Sequence, residues 1–309
     1  MIKVVFLGSS KYSTIVQKAL FKKFGLSLTV TIPDKPVGRK KILTPSPVKQ
    51  FATSVIARRN DEAICIPGKI AAGFSNPRND VPVITADKLD NEIIKQIAEY
   101  NPDFLVVADY GLILPKELLK LPKFAPLNVH HSLLPKYRGP SPAPTAILNG
   151  DKTTGVTIIK MSEKMDTGSI LAQKKYELKK DETTDSLLTK LNELGGKLVI
   201  DVIENYEKIK PISQDESKTS YTQKITKEDG YFDMDNPPSP EILDRMIRAY
   251  FPWPNAWGEL RIRNKELRIK LLPDKTIQVE GGKPMSMKDF INGYPEAGKI
   301  INKLLIPNL

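Results

Sequence analysis

Residues 2–7 and Phe104–Ala108 are short runs dominated by apolar side chains, without the alternation of a half-solvated strand. A strand that is apolar on both faces must be covered on both, which is the condition of a parallel sheet flanked by helices. The segments between such runs carry the matching signals. Gly8-Ser9-Ser10 turns into a helix around Thr14–Lys23, and Leu26–Ile32 alternates as a second strand. Pro47 starts a helix running to about Arg59. Val81–Ile84 is a short strand, Asn91–Tyr100 is a helix with Ile93, Ile94 and Ile97 on one face, and Leu127–Val129 is a further buried strand. This alternation predicts an α/β fold with a doubly wound, mostly parallel sheet. In such sheets ligands bind outside the carboxyl ends of the strands, where Asn128-Val129-His130 falls.

The remainder reads as two connected pieces. Gly155–Met161 is β-rich, and Thr184 caps a helix reaching about Tyr206, with Leu187, Leu191, Leu194, Leu198 and Val202 at helical spacing. Gly195-Gly196 inside that helix either weakens it or marks close packing. Lys208–Lys218 is polar and linker-like. Glu241–Tyr250 is helical and leads to Phe251-Pro252-Trp253-Pro254, after which short alternating stretches such as Leu260–Ile262 and Thr276–Val279 make a small β-rich module. The expected organisation is an α/β domain over 1–206, a linker over 207–220 and a C-terminal domain over 221–309. Pro33–Pro47, with four prolines and a basic cluster, reads as a loop, and Asn60–Asp80 as an irregular excursion.

Composition narrows the function classes. No apolar run approaches the ~20 residues that span a bilayer, and the N-terminal apolar stretch is too short for a signal peptide. The single Cys65 excludes an internal disulfide and fits a reducing, cytoplasmic setting. With one cysteine and two adjacent histidines, no Cys/His metal site is expected. There is no glycine-rich phosphate loop and no Gly-x-Ser-x-Gly elbow. The net charge is +11. From Thr31 to Arg59 seven basic residues face one acidic residue, Asp34, a local concentration that suits a polyanionic partner.

Both histidines, His130 and His131, sit side by side at one strand end, the first of them two residues after Asn128. Asp166-Thr167-Gly168 follows downstream. Asn, His and Asp can polarise an acyl carbonyl, move a proton and orient the base. Ser132 beside His131 is a poor nucleophile candidate, because neighbouring side chains at a strand end point apart.

The run Asn128-Val129-His130 with Ser132-Leu133-Leu134-Pro135-Lys136-Tyr137-Arg138-Gly139 resembles the signature of the folate-dependent formyltransferases. Gly155-Val156-Thr157-Ile158 with Met165-Asp166-Thr167-Gly168 is similar to a second part of it, and Asp109-Tyr110-Gly111-Leu112-Ile113-Leu114-Pro115 to the loop leading into its site. The branch most resembled acts on methionyl-tRNA: residues 33–41 and 45–49 look like its inserted basic loop, Gln214-Asp215-Glu216-Ser217 and 221–225 like its interdomain linker, and 247–254 like the opening of its C-terminal domain. Three departures stand out: few residues between Trp257 and Gly282 for the OB-type barrel of that branch, a long 60–80 stretch, and His131 where a small residue is usual.

The resemblance implies formyl transfer from 10-formyltetrahydrofolate, a co-substrate, to the α-amino group of methionine on initiator tRNA, without a metal or membrane, by a monomer. It implies Asn128, His130 and Asp166 as the catalytic trio. Ser132, Leu133, Leu134, Pro135, Tyr110, Leu112 and Leu114 would line the folate pocket, and Arg39, Lys40, Lys41 and Lys49 would contact tRNA. The C-terminal module would be a small, OB-like tRNA-binding domain. The competing reading is an N-formyltransferase acting on an amino-sugar nucleotide with the same trio. A non-catalytic RNA-binding protein or a formyl-folate hydrolase would leave the trio or the basic loop without a purpose.

Overall fold

A computed structural model describes residues 2–38, 40–54, 81–262 and 265–304. The described residues fall into two compact units: one takes those of Met1–His130, Val156–Lys174 and Asn192–Asp215, the other those of His131–Gly155, Lys175–Leu191 and Glu216–Leu309.

The first unit is built on a seven-stranded sheet of order β5-β2-β1-β6-β7-β8-β9. The strands are β1 (Val4–Gly8), β2 (Leu28–Thr31), β5 (Val83–Thr85), β6 (Phe104–Ala108), β7 (Ala125–His130), β8 (Thr153–Lys160) and β9 (Ser169–Glu177). Pairs β1/β2, β1/β6, β2/β5 and β6/β7 are parallel, while β7/β8 is antiparallel. β1 and β6 are buried at every position, as their unbroken apolar runs require. Helix α3 (Asn91–Ala98), capped by the Asp90 carboxylate accepting from Ile93 N, presses Ile97 into a cluster with Val5, Leu7, Leu28, Val30, Leu105 and Val107.

Three expectations are corrected. Pro33–Pro47 is not a plain loop: β3 (Lys35–Val37) and β4 (Ile42–Thr44) pair antiparallel as a hairpin. Gly38 (φ 73°) and Lys41 (φ 48°) make its turn, with Lys41 N donating to Gly38 O. The prolines hid the short strands; Pro36 is tolerated because a two-stranded ribbon leaves its missing N–H at an edge. Helix α6 (Thr184–Glu204) is not capped by Thr184. The cap is Thr183, whose N–H donates to Ser186 Oγ while Ser186 N donates to Thr183 Oγ1, a reciprocal arrangement. Thr184 donates instead to Ala249 O. Finally, α4 (Lys116–Leu119), α5 (Pro142–Leu148) and β9 were not foreseen; α4 and α5 are too short to display a period, and β9 is exposed along much of its length. The 60–80 excursion lies outside the described residues.

In the second unit, α7 (Pro240–Ala249) begins with Ser239 accepting from Ile242 N. It packs Leu243 and Ile247 against β10 (Ala256–Ile262), β11 (Lys265–Leu271), β12 (Thr276–Val279) and β13 (Pro284–Ser286). Among the described residues these strands form an open antiparallel meander, β10-β11-β12-β13, whose outer strands are not paired with each other. Helices α8 (Met287–Gly293) and α9 (Gly298–Lys303) contribute Phe290 and Ile301 to the same core. The polar stretch beyond residue 215 is anchored. Arg138, fully buried, donates through Nη1 and Nη2 to Glu216, while its backbone bonds Ser220 O and Thr222 N. A buried guanidinium demands such a partner.

Gly195 of α6 lies where an added Cβ would stand 2.5 Å from Val129 Cγ1, whereas one on Gly196 would meet Ala19 Cβ at 3.2 Å. The valine is β-branched and stiff, so it cannot swing aside. Gly195→Ala is therefore expected to destabilise by ~1–3 kcal/mol, and Gly196→Ala to be nearly neutral. Urea unfolding of both variants checks this; equal stabilities would show that α6 slides freely over β7.

Candidate active site

The period-two geometry of β7 turns Asn128 and His130 to one face and Val129 to the other, against α6. In the β7/β8 ladder Asn128 opposes Ile159 and His130 opposes Thr157. Because β8 runs backwards, its far end lies beside the start of β7, with Met161 N donating to Pro126 O. The loop that follows carries Asp166 to the face held by Asn128 and His130. Asn128 Nδ2 donates to Asp166 Oδ1 at 3.3 Å, and His130 Nδ1 stands 3.6 Å from the same oxygen. The second separation is electrostatic proximity rather than a hydrogen bond. The His130 and Asp166 side chains are only 6% and 10% exposed, so little water screens them from each other.

The loop backbone is held into this position. Asp166 has φ 54°, a left-handed conformation that Asp adopts more readily than most residues. At Gly168 a Cβ would fall 1.9 Å from Lys160 O, so only glycine fits. Thr167 Oγ1 donates to Lys164 O and shares a hydrogen bond with Ser162 Oγ. Gln214 Nε2 donates to the carbonyls of Asp166 and Gly168, both at 2.7 Å. In the sequence Gln214 reads only as part of a linker. What brings it here is a two-way backbone bond between Ile170 and Ile212, which no sequence period announces. Beside the trio, Gln173 Nε2 donates to Thr157 Oγ1.

The loop after β6 also belongs to this unit. Asp109 (φ 46°) accepts from Ser9 Oγ through its carbonyl and from Ser10 Oγ through its carboxylate. The Tyr110 hydroxyl is shielded and has no hydrogen-bond partner among the described residues. Burial pushes its phenol up to about 12, so it remains a neutral donor. Leu112 is half-buried, and Leu114 lies in the apolar cluster, shaping the loop from within.

The second unit holds the rest of the signature. Ser132 is fully buried and donates to Lys136 O, tightening the turn, while Leu133 and Pro135 are half-buried and Leu134 is buried. His131 is buried there too. Of the basic residues, Arg39 lies outside the described residues, Lys40 and Lys41 are exposed, and Lys49 is engaged by Asp34 at 2.8 and 3.0 Å. Among the described residues no group of three or more His, Cys, Asp or Glu could hold a metal ion, and no helix is long and apolar enough to cross a membrane.

The formyl transferase family model matches residues 2–203, which include Asn128, His130 and Asp166. The chain belongs to the formyl transferase family. Relatives called methionyl-tRNA formyltransferase are similar over almost the whole chain. That of Caldicellulosiruptor saccharolyticus is 34% identical, covering 94% of this chain and 96% of its own. That of Campylobacter lari is 35% identical, covering 95% and 97%. Among solved structures, a methionyl-tRNA formyltransferase from Clostridium thermocellum superposes with TM-score 0.58 at 14% identity, covering 93% of this chain and all of that one. A sugar N-formyltransferase from Shewanella superposes with TM-score 0.60 at 18% identity, covering 88% and 98%. At those identities the superpositions speak for the fold alone.

Within this formyltransferase, His131 and His130 are expected to separate in function. His131 follows the last residue of β7 and is buried, and neighbouring side chains along an extended chain point to opposite sides. His131→Ala should keep formyl-transfer turnover within about tenfold while lowering thermal stability, as truncation of a buried side chain does. A turnover loss equal to that of His130→Ala at saturating substrates would show the two roles to be divided wrongly.

Proposed function

We propose that the chain transfers the formyl group of 10-formyltetrahydrofolate to the α-amino group of methionine carried by initiator tRNA. The observation that supports this most directly is the Asn128–Asp166–His130 constellation at the end of β7, in a chain similar end to end to relatives called methionyl-tRNA formyltransferase.

In this reading the neutral amine attacks the formyl carbon; free α-amino groups titrate near ~8, so a useful neutral fraction exists without a strong base. Charge then collects on the formyl oxygen. Asn128 Nδ2 uses one hydrogen on Asp166, which fixes the amide orientation, and its second hydrogen is directed at that oxygen. His130 supplies the other donor. The carbon–nitrogen bond to the amine forms, the bond to the folate nitrogen breaks, and the proton shed by the amine passes through His130 to the leaving nitrogen. The Asp166 carboxylate, 3.6 Å from His130 Nδ1, orients the imidazole. By the resemblance, Ser132–Pro135 is assigned to the folate, as is the Tyr110–Leu114 loop. The C-terminal β module serves tRNA.

Each of Asn128→Ala, His130→Ala and Asp166→Ala should lower turnover by at least ~10² with the fold intact, because each group acts on developing charge. Steady-state formylation of methionyl-tRNA with circular dichroism on each variant is the check. Near wild-type turnover for His130→Ala would remove the assignment.

The hairpin β3/β4 is assigned to the acceptor end of the tRNA. Lys40 and Lys41 are exposed beside Val37, Ile42 and Leu43, which are exposed as well, so one ribbon offers phosphate contacts and an apolar surface for a base. Lys49, committed to Asp34, contributes little to this surface. Replacing Arg39, Lys40 and Lys41 with Ala should raise KM for charged tRNA. It should also flatten its salt dependence by up to ~0.7–0.9 log units per lost phosphate contact. KM for the folate should be unchanged. An unaltered KM and salt slope, or wild-type transfer to an amino-sugar nucleotide in preference to methionyl-tRNA, would favour the sugar reading.

A further inference from the structure

Asp166 performs its part only if its carboxylate meets Asn128 and His130, and nothing in the loop's own sequence compels that. Its backbone is left-handed, and Gly168 two residues on is pressed against Lys160 O. Carbonyls in such a turn lack the ladder partners of regular structure. Two of them, Asp166 O and Gly168 O, converge on one group, the Gln214 amide, at 2.7 Å each. Gln214 is itself fixed two residues after Ile212, whose N–H and C=O both bond Ile170 at the start of β9. The segment is thus an added edge piece that ends on the turn. A single amide with two hydrogens is the side chain that can satisfy two converging carbonyls at once; a carboxylate of the same shape would present oxygen to oxygen.

We infer that Gln214 is a positioning residue for formyl transfer, holding the 166–168 turn so that the Asp166 carboxylate faces Asn128 and His130. The inference rests on the catalytic roles proposed above. Gln214 touches no reacting atom; it acts through Asp166. Because misplacement of a catalytic group by about 1 Å can cost ~10²-fold, loss of its two bonds should appear in turnover and not in substrate affinity.

The test uses full-length protein, 10-formyltetrahydrofolate and methionyl-tRNA. Gln214→Met keeps the length and removes both donors, and Gln214→Glu keeps the shape and turns donors into acceptors. Gln214→Met should lower kcat by ~10–10² and Gln214→Glu by at least as much, with both KM values within about threefold. A role in packing alone would tolerate the isosteric Glu. The double variant Asp166→Ala/Gln214→Met should be no slower than Asp166→Ala, since the tether has nothing left to hold. Additive losses in the double variant, a loss confined to KM, or a Gln214→Glu enzyme as fast as wild type would each overturn the inference. If one single variant does not fold by circular dichroism, the other carries the cycle. Should the wild type formylate a different amine, the tRNA reading fails at that step, and the same cycle on that amine still decides the role of Gln214.

Discussion

The reversal of strand direction between β7 and β8 is the constraint on which the site depends. Up to β7 the sheet is parallel, and parallel strands can be joined only by crossover connections. Had β8 continued that pattern, the loop after it would leave from the same edge as the one after β7. By running backwards, β8 ends beside Pro126, and its loop has only to fold over the face of β7 to reach a side chain two residues along. A short tight loop therefore suffices. Its tightness is visible in the left-handed Asp166 and in a glycine with no room for a methyl group. A left-handed non-glycine residue costs on the order of 1 kcal/mol, and two hydrogen bonds at about 1 kcal/mol each offset it. The two Gln214 bonds are among those that do so.

The same economy shapes the other face of β7. A strand that shows Asn128 and His130 to one side has only Val129 and its neighbours to hold it from the other. The packing there is close enough that α6 needs glycine opposite Val129. Close-packed interiors transmit displacement instead of absorbing it, so the helix fixes the height of the two functional side chains from behind while the loop fixes their partner from in front.

Much of this was legible in the residues. Apolar runs without alternation gave the parallel sheet, and Phe104–Ala108 was bounded at both ends as observed, because a strand buried on both faces has no polar position to blur its limits. Close packing was one of two readings open at the Gly195-Gly196 pair. Within the candidate site, Asn128 and His130 were singled out by the only two histidines falling at one strand end, and, with Asp166, by the signature that the residues around them resemble. What was not legible depends on contacts between distant segments. Thr183 and Thr184 are equally good caps by type, and only the acceptor at Ala249 decides that the second hydroxyl is used elsewhere. Lys35–Thr44 reads as loop because two strands of three residues cannot outweigh their prolines in any sequence window. Gln214 looks like linker polarity until the Ile170–Ile212 bond places it.

The distribution of charge makes a further point about how sequence signals for partners should be read. The excess of positive charge around the hairpin counts Lys49, yet that ammonium is paired with Asp34 and partly buried, whereas Lys40 and Lys41 project from the turn. A lysine already engaged by a carboxylate must lose that partner before it can neutralise a phosphate, so it adds little to counterion release. Removing Asp34 instead would free it. The hairpin also exposes Val37, Ile42 and Leu43, which a purely electrostatic surface would not need. Isolated apolar side chains on a surface are ordinary, but Val37 and Ile42 are cross-strand partners and stand side by side on one face of the ribbon, with Leu43 on the other. Charge draws a polyanion to the ribbon from any direction, while the apolar side chains reward only an approach that lays bases against them. In the proposed tRNA reading, the combination would suit an end of a nucleic acid, where bases can leave the stack, better than the continuous phosphate surface of a duplex.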